Sequence, residues 1–185
     1  MALATYEDSL VYSDDTRTEV LAGEIVFPPS PLVVHQYVRG TLSCLLAPFS
    51  DRHTPGGWWL LPAVDVRFAV HDVPCPDFSG WHRNDWPVPF GVRPIDLIPD
   101  FVCEILSRES ERHDRGYKAD LYAAHGVAHL WFIDPSGLLE AFELRSGRWL
   151  RLGAYDETMT ARIPPFDAVE LPLCTLFPPA DAIPR

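Results

Sequence analysis

The most regular hydrophobic pattern of the chain lies in residues 99–134. An apolar run at 101–106 is followed by a polar stretch, by a helical stripe that stops at Gly126, and by a second apolar run at 128–133. Strand, helix and strand in about 35 residues predict a βαβ unit whose two strands are parallel neighbours. Glu104 interrupts the first run, and a buried carboxylate is costly unless it is paired, hydrogen-bonded or bound to a metal. Glu104 therefore needs a partner elsewhere in the chain.

Shorter patterns before this unit predict further elements. Residues 18–27 form two apolar runs around a small turn, which is typical of a hairpin. Ser30 and Pro31 are residue types that favour the N-cap and the first position of a helix, and a helical stripe follows them. Alternation at 64–68 predicts one strand, and residues 73–79 predict a second.

The remaining segments complete the domain. Residues 80–98 read as a long irregular loop, a kind of loop that is often functional. The helix of the central unit is expected to begin at 111–113, and residues 139–152 predict a hairpin. The tail from Ile163 onward is expected to wrap the body without long elements. The order of these elements favours one α/β or α+β domain.

Composition narrows the class of protein. No stretch approaches the roughly 18 consecutive apolar residues of a membrane span and the N-terminus lacks a secretory signal, so the expected location is the cytoplasm. The four cysteines show no CxxC spacing and are expected to be buried free thiols. The formal net charge of −11 argues against a broad basic face for nucleic acid, although a metal can reverse the field at one small site. The chain contains 14 arginines and a single lysine, Lys118. This bias indicates that a compact ammonium is needed at position 118.

Three carboxylates fall on successive predicted strands, namely Asp65, Asp77 and Glu104. If the last two strands are neighbours, Asp77 and Glu104 converge at one sheet end and offer oxygen ligands to Mg²⁺ or Mn²⁺. Such a metal would polarise a phosphoryl oxygen, and Lys118 would position the attacking water or stabilise the developing charge. Phosphodiester hydrolysis uses this set of groups. Two alternatives stay open: Asp77 is a turn residue after Pro76, and Glu104 is ion-paired with an arginine.

Several motifs together resemble one family. They are Pro76-Asp77, the run from Pro99 to Ser107, Asp114-Arg115-Gly116-Tyr117-Lys118, Tyr122, Gly126-Val127 and Leu130 to Asp134. In combination they resemble the restriction-endonuclease family of Uma-two type, which belongs to the PD-(D/E)XK nuclease superfamily. The resemblance runs from about residue 18 to residue 177 and is closest at 99–134.

The resemblance implies a restriction-endonuclease-like core, which is a mixed sheet flanked by helices, with added hairpins. It places one nuclease domain at 18–177, between a loose N-terminal segment at 1–17 and a tail at 178–185. Asp77 matches the aspartate of the PD half of the motif, and Glu104 matches the acidic residue of the (D/E)XK half.

The lysine of the motif is where this chain departs from the superfamily pattern. Leu106 stands at the expected position, and the family's lysine is displaced to the helix position of Lys118. Asp65 matches a commonly acidic position on the preceding strand and would be either an auxiliary metal ligand or a residue that supports the ligands. Glu24 and His35 match positions near the family's first helix.

Weaker candidates surround this set. Arg108, Arg112 and Arg115 precede or open the helix and are candidates to grip phosphate, although the acids between them equally fit a solvated segment. Trp81 and Trp86 lie in the long predicted loop, where indole rings would stack on bases. His113 and His129 have no partner at metal-ligand spacing, which favours ordinary structural or surface histidines.

The sequence thus predicts a Mg²⁺- or Mn²⁺-dependent nuclease that hydrolyses phosphodiester bonds in DNA. A homodimer would let two such sites cut both strands of a duplex. Two other classes stay open, a non-catalytic binding module of the same fold and a Mg²⁺-dependent phosphoesterase for small nucleotides. The second suits the acidic charge better than long duplex DNA does.

Overall fold

A six-stranded mixed sheet forms the centre of the computed structural model, which describes residues 2–12, 16–50, 57–84 and 91–179. Its strands run in the order β3-β4-β5-β6-β7-β8. They are β3 (Trp58–Pro62), β4 (Phe78–His82), β5 (Phe101–Ile105), β6 (His129–Asp134), β7 (Leu138–Arg145) and β8 (Arg148–Asp156). Every neighbouring pair is antiparallel except β5 and β6, which are parallel.

The remaining elements flank this sheet. The helices are α1 (Tyr6–Ser9), α2 (Val33–Leu46), α3 (Glu111–His113) and α4 (Ala119–Ala124), with single 3₁₀ turns at Ala47–Ser50 and Leu173–Thr175. A π-helical turn, Asp114–Lys118, joins α3 to α4 without a break. Two small antiparallel pairs are β1 (Glu19–Leu21) with β2 (Glu24–Val26), and β9 (Thr160–Ala161) with β10 (Leu171–Pro172).

The central unit has the predicted form. Phe101 of β5 is in register with His129 of β6, and the helical segment between the two strands closes the crossover. Gly126 ends that segment with φ +80°, a backbone conformation that glycine adopts without strain. The hairpin predicted at 18–27 is β1–β2, and the one predicted at 139–152 is β7–β8. The expected fold class, a mixed sheet flanked by helices, is confirmed.

Side chains alternate between the two faces of the sheet and build two cores. The first face packs against α2 and the C-terminal segment from Ile163, and Phe101, Ile105 and Trp131 lie in it. The second face packs against α4, and Val102, Leu106 and Leu130 lie in it. Val102 lies two residues before Glu104 and Leu106 lies two residues after it. Side chains two apart on a strand share a face, so the Glu104 side chain points to the α4 face.

Two predicted elements differ from the structure near the N-terminal side of the sheet. The helix α2 begins at Val33 with Leu32 at its N-cap, rather than at Ser30 and Pro31, because Leu32 is still extended (φ −64°, ψ 159°). The segment 64–68 is not a strand of the sheet. Ala63 has φ +47° directly after Pro62, which turns the chain out of β3.

The strand predicted at 73–79 begins later, at Phe78. Val73 instead forms an isolated bridge with Val20, since Pro74 and Pro76 have no N–H groups to donate to a ladder. Because β4 extends to His82, the loop predicted at 80–98 begins later than predicted. Trp81 lies in β4, is 1% exposed and donates from Nε1 to the carbonyl of Leu97, so it is a core residue rather than a stacking platform.

The structure differs from the prediction in the N-terminal segment and agrees with it in the tail. The segment expected to be loose contains the short helix α1, whose Tyr6 and Ser9 side chains are buried. The tail has no long elements, as predicted, and its aromatic side chains pack on the sheet.

The four cysteines are all free, but only two of them are buried as predicted. Cys75 and Cys103 are buried, whereas Cys44 and Cys174 are exposed. Cys44 falls on the outer side of α2, away from buried Leu42 and Leu46. Within the described parts of the chain, no helix combines the length and apolarity that crossing a bilayer requires.

Phe166 anchors the C-terminal segment to the sheet. Its ring is fully buried and lies 4.9 Å from Phe101, 5.2 Å from Trp58 and 5.5 Å from Trp131, centroid to centroid. Trp131 also donates from Nε1 to the carbonyl of Pro164 at 2.8 Å. One side chain therefore joins three strands to the tail.

We expect Phe166→Ala to lower the free energy of unfolding by about 3–5 kcal/mol, because it removes buried contacts and leaves a cavity. Urea denaturation followed by tryptophan fluorescence measures the change. Phe27→Ala is the matched control, since the Phe27 ring is 52% exposed and should cost under about 1 kcal/mol. Equal losses for the two variants would contradict this account of the tail.

Candidate active site

Asp77 and Glu104 lie side by side at one end of the sheet. Phe78 of β4 is in register with Cys103 of β5, so the next positions outward bring Asp77 opposite Glu104. The Asp77 N–H points at Glu104 Oε2 over 3.4 Å. Both side chains are buried, and both line the same cavity. The convergence of these two carboxylates was predicted from the sequence. Asp77 lies in a bend directly before β4, so its position at a turn and its place beside Glu104 occur together.

Two donors fix the Asp77 carboxylate from one side. The Ile105 N–H donates to Asp77 Oδ2 at 2.9 Å, and His35 Nε2 lies 3.1 Å from the same oxygen. Burial opposes ionisation, but the hydrogen bond and charge of His35 and the Ile105 N–H outweigh it, so the pKa of Asp77 lies below its usual value. The other oxygen, Oδ1, is buried and has no hydrogen-bond partner among the described residues.

Glu104 is held through its other oxygen by the helical segment. Tyr122 OH donates to Glu104 Oε1 at 2.5 Å, and Lys118 Nζ lies 3.2 Å from the same atom. Tyr122 and Lys118 are both buried, and they are four residues apart on one face of the helix. The sequence-based prediction that the displaced lysine reaches the sheet end is therefore correct in its geometry.

Two further carboxylates share the Lys118 ammonium. Glu19 was not singled out from the sequence, whereas Asp114 was named within the family motif and as one of the acids of a solvated segment, which is wrong for Asp114 because it is buried. Glu19 of β1 lies 3.4 Å from Nζ and Asp114 lies 3.3 Å away, and both side chains are buried. Asp114 and Lys118 open and close the π-helical turn, and π turns recur at functional sites because they re-aim side chains. The signal for Glu19 was an acid set in a short apolar strand, the same feature that drew attention to Glu104.

The cluster carries an excess of negative charge. Glu19, Asp77, Glu104 and Asp114 are four carboxylates, and Lys118 and Arg17 are the two permanent cations against them. Burial, together with the nearby Asp114, Asp77 and Glu19, raises the pKa of Glu104 to about 8, although Lys118 acts in the opposite direction. Burial disfavours a charged Lys118, but the four carboxylates, Glu104 first among them, reverse that effect and raise the pKa of Lys118 well above its usual value. A further cation beside Glu104 would favour its ionised form.

The cavity beside these groups has a volume of about 800 Å³ and is called the catalytic cavity here. Asp77, Glu104 and Lys118 line its floor, and Phe27 and Arg108 are among its other lining residues. This volume is within the range of roughly 300–1,000 Å³ that small-molecule and cofactor sites occupy.

The weaker candidates lie outside the carboxylate cluster. Asp65 pairs with Arg93 and accepts from Tyr6 OH, so the structure does not bring it to Asp77 and Glu104. Arg115 pairs with Glu111 and Glu140, which engages its guanidinium away from the catalytic cavity.

Other residues named from the sequence are dispersed. Arg112 and Glu24 are exposed, while Arg108 is exposed at the catalytic cavity. His113 also lines that cavity, and His129 is half-buried in β6. Trp86 lies outside the described residues. His35, in contrast, is part of the site through its contact with Asp77.

The chain is similar to known proteins over most of its length. The family model Uma2, described as "Putative restriction endonuclease", matches residues 3–174. The chain belongs to this family. A crystal structure described as a putative nuclease belonging to DUF820, from Anabaena variabilis ATCC 29413, has the same fold. It superimposes with a TM-score of 0.74 at 18% identity, covering 94% of this chain and 97% of that one. No curated protein matches the chain. Membership of the Uma2 family supports a nuclease as the broad class of activity.

The donor set fits a divalent metal of the kind that the family implies. Within the described residues, no group of three His, Cys, Asp or Glu side chains is placed to hold a metal ion. Mg²⁺, however, is commonly bound by one or two carboxylates, with water and substrate phosphate completing the shell. Asp77 Oδ1 is buried without a partner, and Glu104 Oε2 meets only the distant N–H of Asp77 among the described residues. These two oxygens would hold the metal, and its charge would offset the excess of carboxylates.

The raised pKa of Glu104 predicts a pH-dependent stability for the metal-free protein. A folded pKa of about 8 lies above the usual 4.5, so between these values the folded state binds the proton more tightly than the unfolded state. Raising the pH through this window removes that proton, and stability falls. Unfolding in urea with EDTA present, from about pH 5 to about pH 8, should show this decline in wild type.

Glu104→Gln should flatten the decline, because it removes the titrating group and keeps the shape of the side chain. Glu109→Gln, an exposed change of the same type, should keep the wild-type slope. A Glu104→Gln protein that loses stability with pH as steeply as wild type would refute the assignment.

Proposed function

We propose that the protein is a nuclease that depends on Mg²⁺ or Mn²⁺ and hydrolyses phosphodiester bonds in DNA. The observation that carries the proposal is the pair of buried carboxylates, Asp77 and Glu104, on one sheet face at the floor of a cavity, with the Lys118 ammonium 3.2 Å from Glu104. Membership of the Uma2 family, "Putative restriction endonuclease", supports the same class of reaction.

Each residue of the pair has a distinct task in this proposal. A bound divalent ion would neutralise charge on the phosphoryl oxygens and lower the pKa of a coordinated water. Asp77 has Oδ1 left for the metal because its Oδ2 is held by His35 and Ile105. Glu104 presents Oε2 because its Oε1 is held by Tyr122 and Lys118. The site is therefore organised before substrate arrives, which lowers the reorganisation that the reaction requires.

Lys118 is proposed as the group that stabilises the charge developing on the phosphate. Its ammonium is the cation at the cavity floor that contacts Glu104 directly, and it has three donors. In the structure these donors face Glu104, Glu19 and Asp114. If one N–H of the Lys118 ammonium exchanged a carboxylate for the substrate as its acceptor, the ammonium would lie beside the reacting phosphate.

The first test of the proposal is cleavage of DNA in the presence and absence of a metal. Wild type should convert supercoiled plasmid or short DNA oligonucleotides to products with Mg²⁺ or Mn²⁺, and not with EDTA. Asp77→Asn should abolish cleavage and also abolish the rise in Tm that Mn²⁺ produces by binding only the folded state. Asp120→Asn, an exposed change of the same type on α4, should behave as wild type.

Cleavage that persists with EDTA, or full activity of Asp77→Asn, would overturn the metal-dependent mechanism. A wild-type protein that binds nucleic acid without cutting any substrate would favour the non-catalytic module of the same fold. Cleavage of nucleotides but not of polymers would favour the small-molecule phosphoesterase.

The second test concerns Lys118. Lys118→Met keeps the apolar stem and removes the ammonium, so kcat should fall by roughly 10²-fold or more while the Mn²⁺ concentration for half-maximal activity changes little. Arg148→Met, which removes an exposed cation from β8, should have no effect. Adding Leu106→Lys to Lys118→Met should restore part of kcat, because residue 106 points to the same face as Glu104. Full activity of Lys118→Met would show that the lysine is structural.

A further inference from the structure

We propose that the substrate is a single nucleic-acid strand, whose scissile phosphate lies beside Asp77 and Glu104 and whose neighbouring phosphate lies in a second cavity lined by Arg17, Arg39 and Arg93. This inference deepens the proposed function and rests on it for the position of the scissile phosphate. The second cavity, called the arginine cavity here, has a volume of about 600 Å³.

The two cavities adjoin each other. Arg17 and Pro31 line both of them, so a strand that leaves the catalytic cavity on this side meets Arg17 first. Arg17 Nη2 donates to the carbonyl of Cys75 at 2.8 Å and lies 3.5 Å from Glu19. Its Nε is buried and has no partner among the described residues. The guanidinium is thus anchored at one end of its fork and has donor capacity left at the boundary between the cavities.

The arginine cavity is locally basic in an acidic chain. It is lined by three guanidinium groups, and Asp65, which pairs with Arg93, is the carboxylate among its lining residues. Arg39 donates to the Gln36 side chain and forms no ion pair within the described part of the chain. Planar guanidinium groups bind phosphate through paired hydrogen bonds, so Arg39, which has no ion pair among the described residues, fits a phosphate, with Arg17 and Arg93 lining the same cavity. The whole chain has a formal net charge of −11, so three arginines at one cavity stand out from the rest of the protein.

Aromatic rings at the catalytic cavity point to unpaired bases. Phe27 lines that cavity with 52% of its surface exposed, and its ring packs edge-on against Tyr12 at 5.0 Å. Tyr12 is itself 41% exposed. Arg17 and Arg108 line the same cavity as Phe27. An exposed ring near cationic side chains is the combination by which proteins bind single strands, since bases stack on the ring while the backbone follows the charge. Duplex binding instead needs a broad basic face, which this composition disfavours.

Binding can be measured separately from cleavage. A fluorescein-labelled single-stranded DNA of about twelve nucleotides is titrated with protein in Ca²⁺, and anisotropy is followed at several salt concentrations. Wild type should bind this strand more tightly than the duplex of the same sequence. Arg39→Gln should weaken binding about tenfold and reduce the slope of log K against log salt by about one, as expected for one lost phosphate contact.

Phe27→Ala should also weaken single-strand binding by about tenfold or more, because it removes a stacking surface. Arg148→Gln, which removes an exposed arginine from the far edge of the sheet, should leave affinity and salt slope unchanged. Tighter binding of the duplex, or an Arg39→Gln protein indistinguishable from Arg148→Gln, would overturn the inference.

Comparing kcat/KM on two substrates tests whether Arg39 has only a structural role. Bis(4-nitrophenyl) phosphate carries one phosphate, so it has no group for the arginine cavity, whereas the oligonucleotide does. The ratio of kcat/KM for the oligonucleotide to kcat/KM for the small diester should fall about tenfold in Arg39→Gln through KM, matching the affinity loss. A loss that is equal on both substrates would show that Arg39 supports the fold and would overturn the inference. If wild type hydrolyses neither substrate but retains Arg39-dependent single-strand binding, the proposed nuclease activity fails and the strand path stands.

Discussion

The contact between Lys118 and Glu104 is the interaction on which the site depends. Both groups are buried, and each would be strongly disfavoured as a charge without the other. Lys118 comes from the π-helical turn, Glu104 from a central strand and Glu19 from the N-terminal hairpin, so one ammonium ties three separate parts of the chain together. Removing one partner of such a cluster typically costs about 3–5 kcal/mol, because the remaining charges stay buried without compensation. Stability and the proposed chemistry are therefore coupled at this point of the fold.

The parts of this arrangement that could be read from the sequence are those set by local periodicity. The two apolar runs of the βαβ unit, the stop at Gly126 and the position of Glu104 within a strand all follow from patterns a few residues long. Contacts that depend on distant segments could not be found in that way. Glu19 is 99 positions from Lys118, and no spacing rule connects them.

Errors in the sequence-based prediction share a physical cause. At 64–68 the alternation of apolar and polar residues was real, and Val66 is buried. The chain turns at Ala63, however, and the segment forms one isolated bridge, between Val66 and Ile95. Trp81 was placed in a loop because prolines and charged residues follow it, although it lies in β4 and packs in the core on the α4 face of the sheet. Periodicity reports which side of a segment is buried, whereas the partner that buries it is decided by the rest of the fold.

The position of the lysine has a consequence for the surface of the protein. Lys118 is the only lysine of the chain, and its side chain is 6% exposed within a cluster of carboxylates. The outer surface consequently presents its positive charge through guanidinium groups and offers no lysine amine to acylating reagents or to enzymes that modify lysine. Lysine-directed labelling would reach Lys118 when the carboxylate cluster opens, so its rate would report directly on local unfolding at the site.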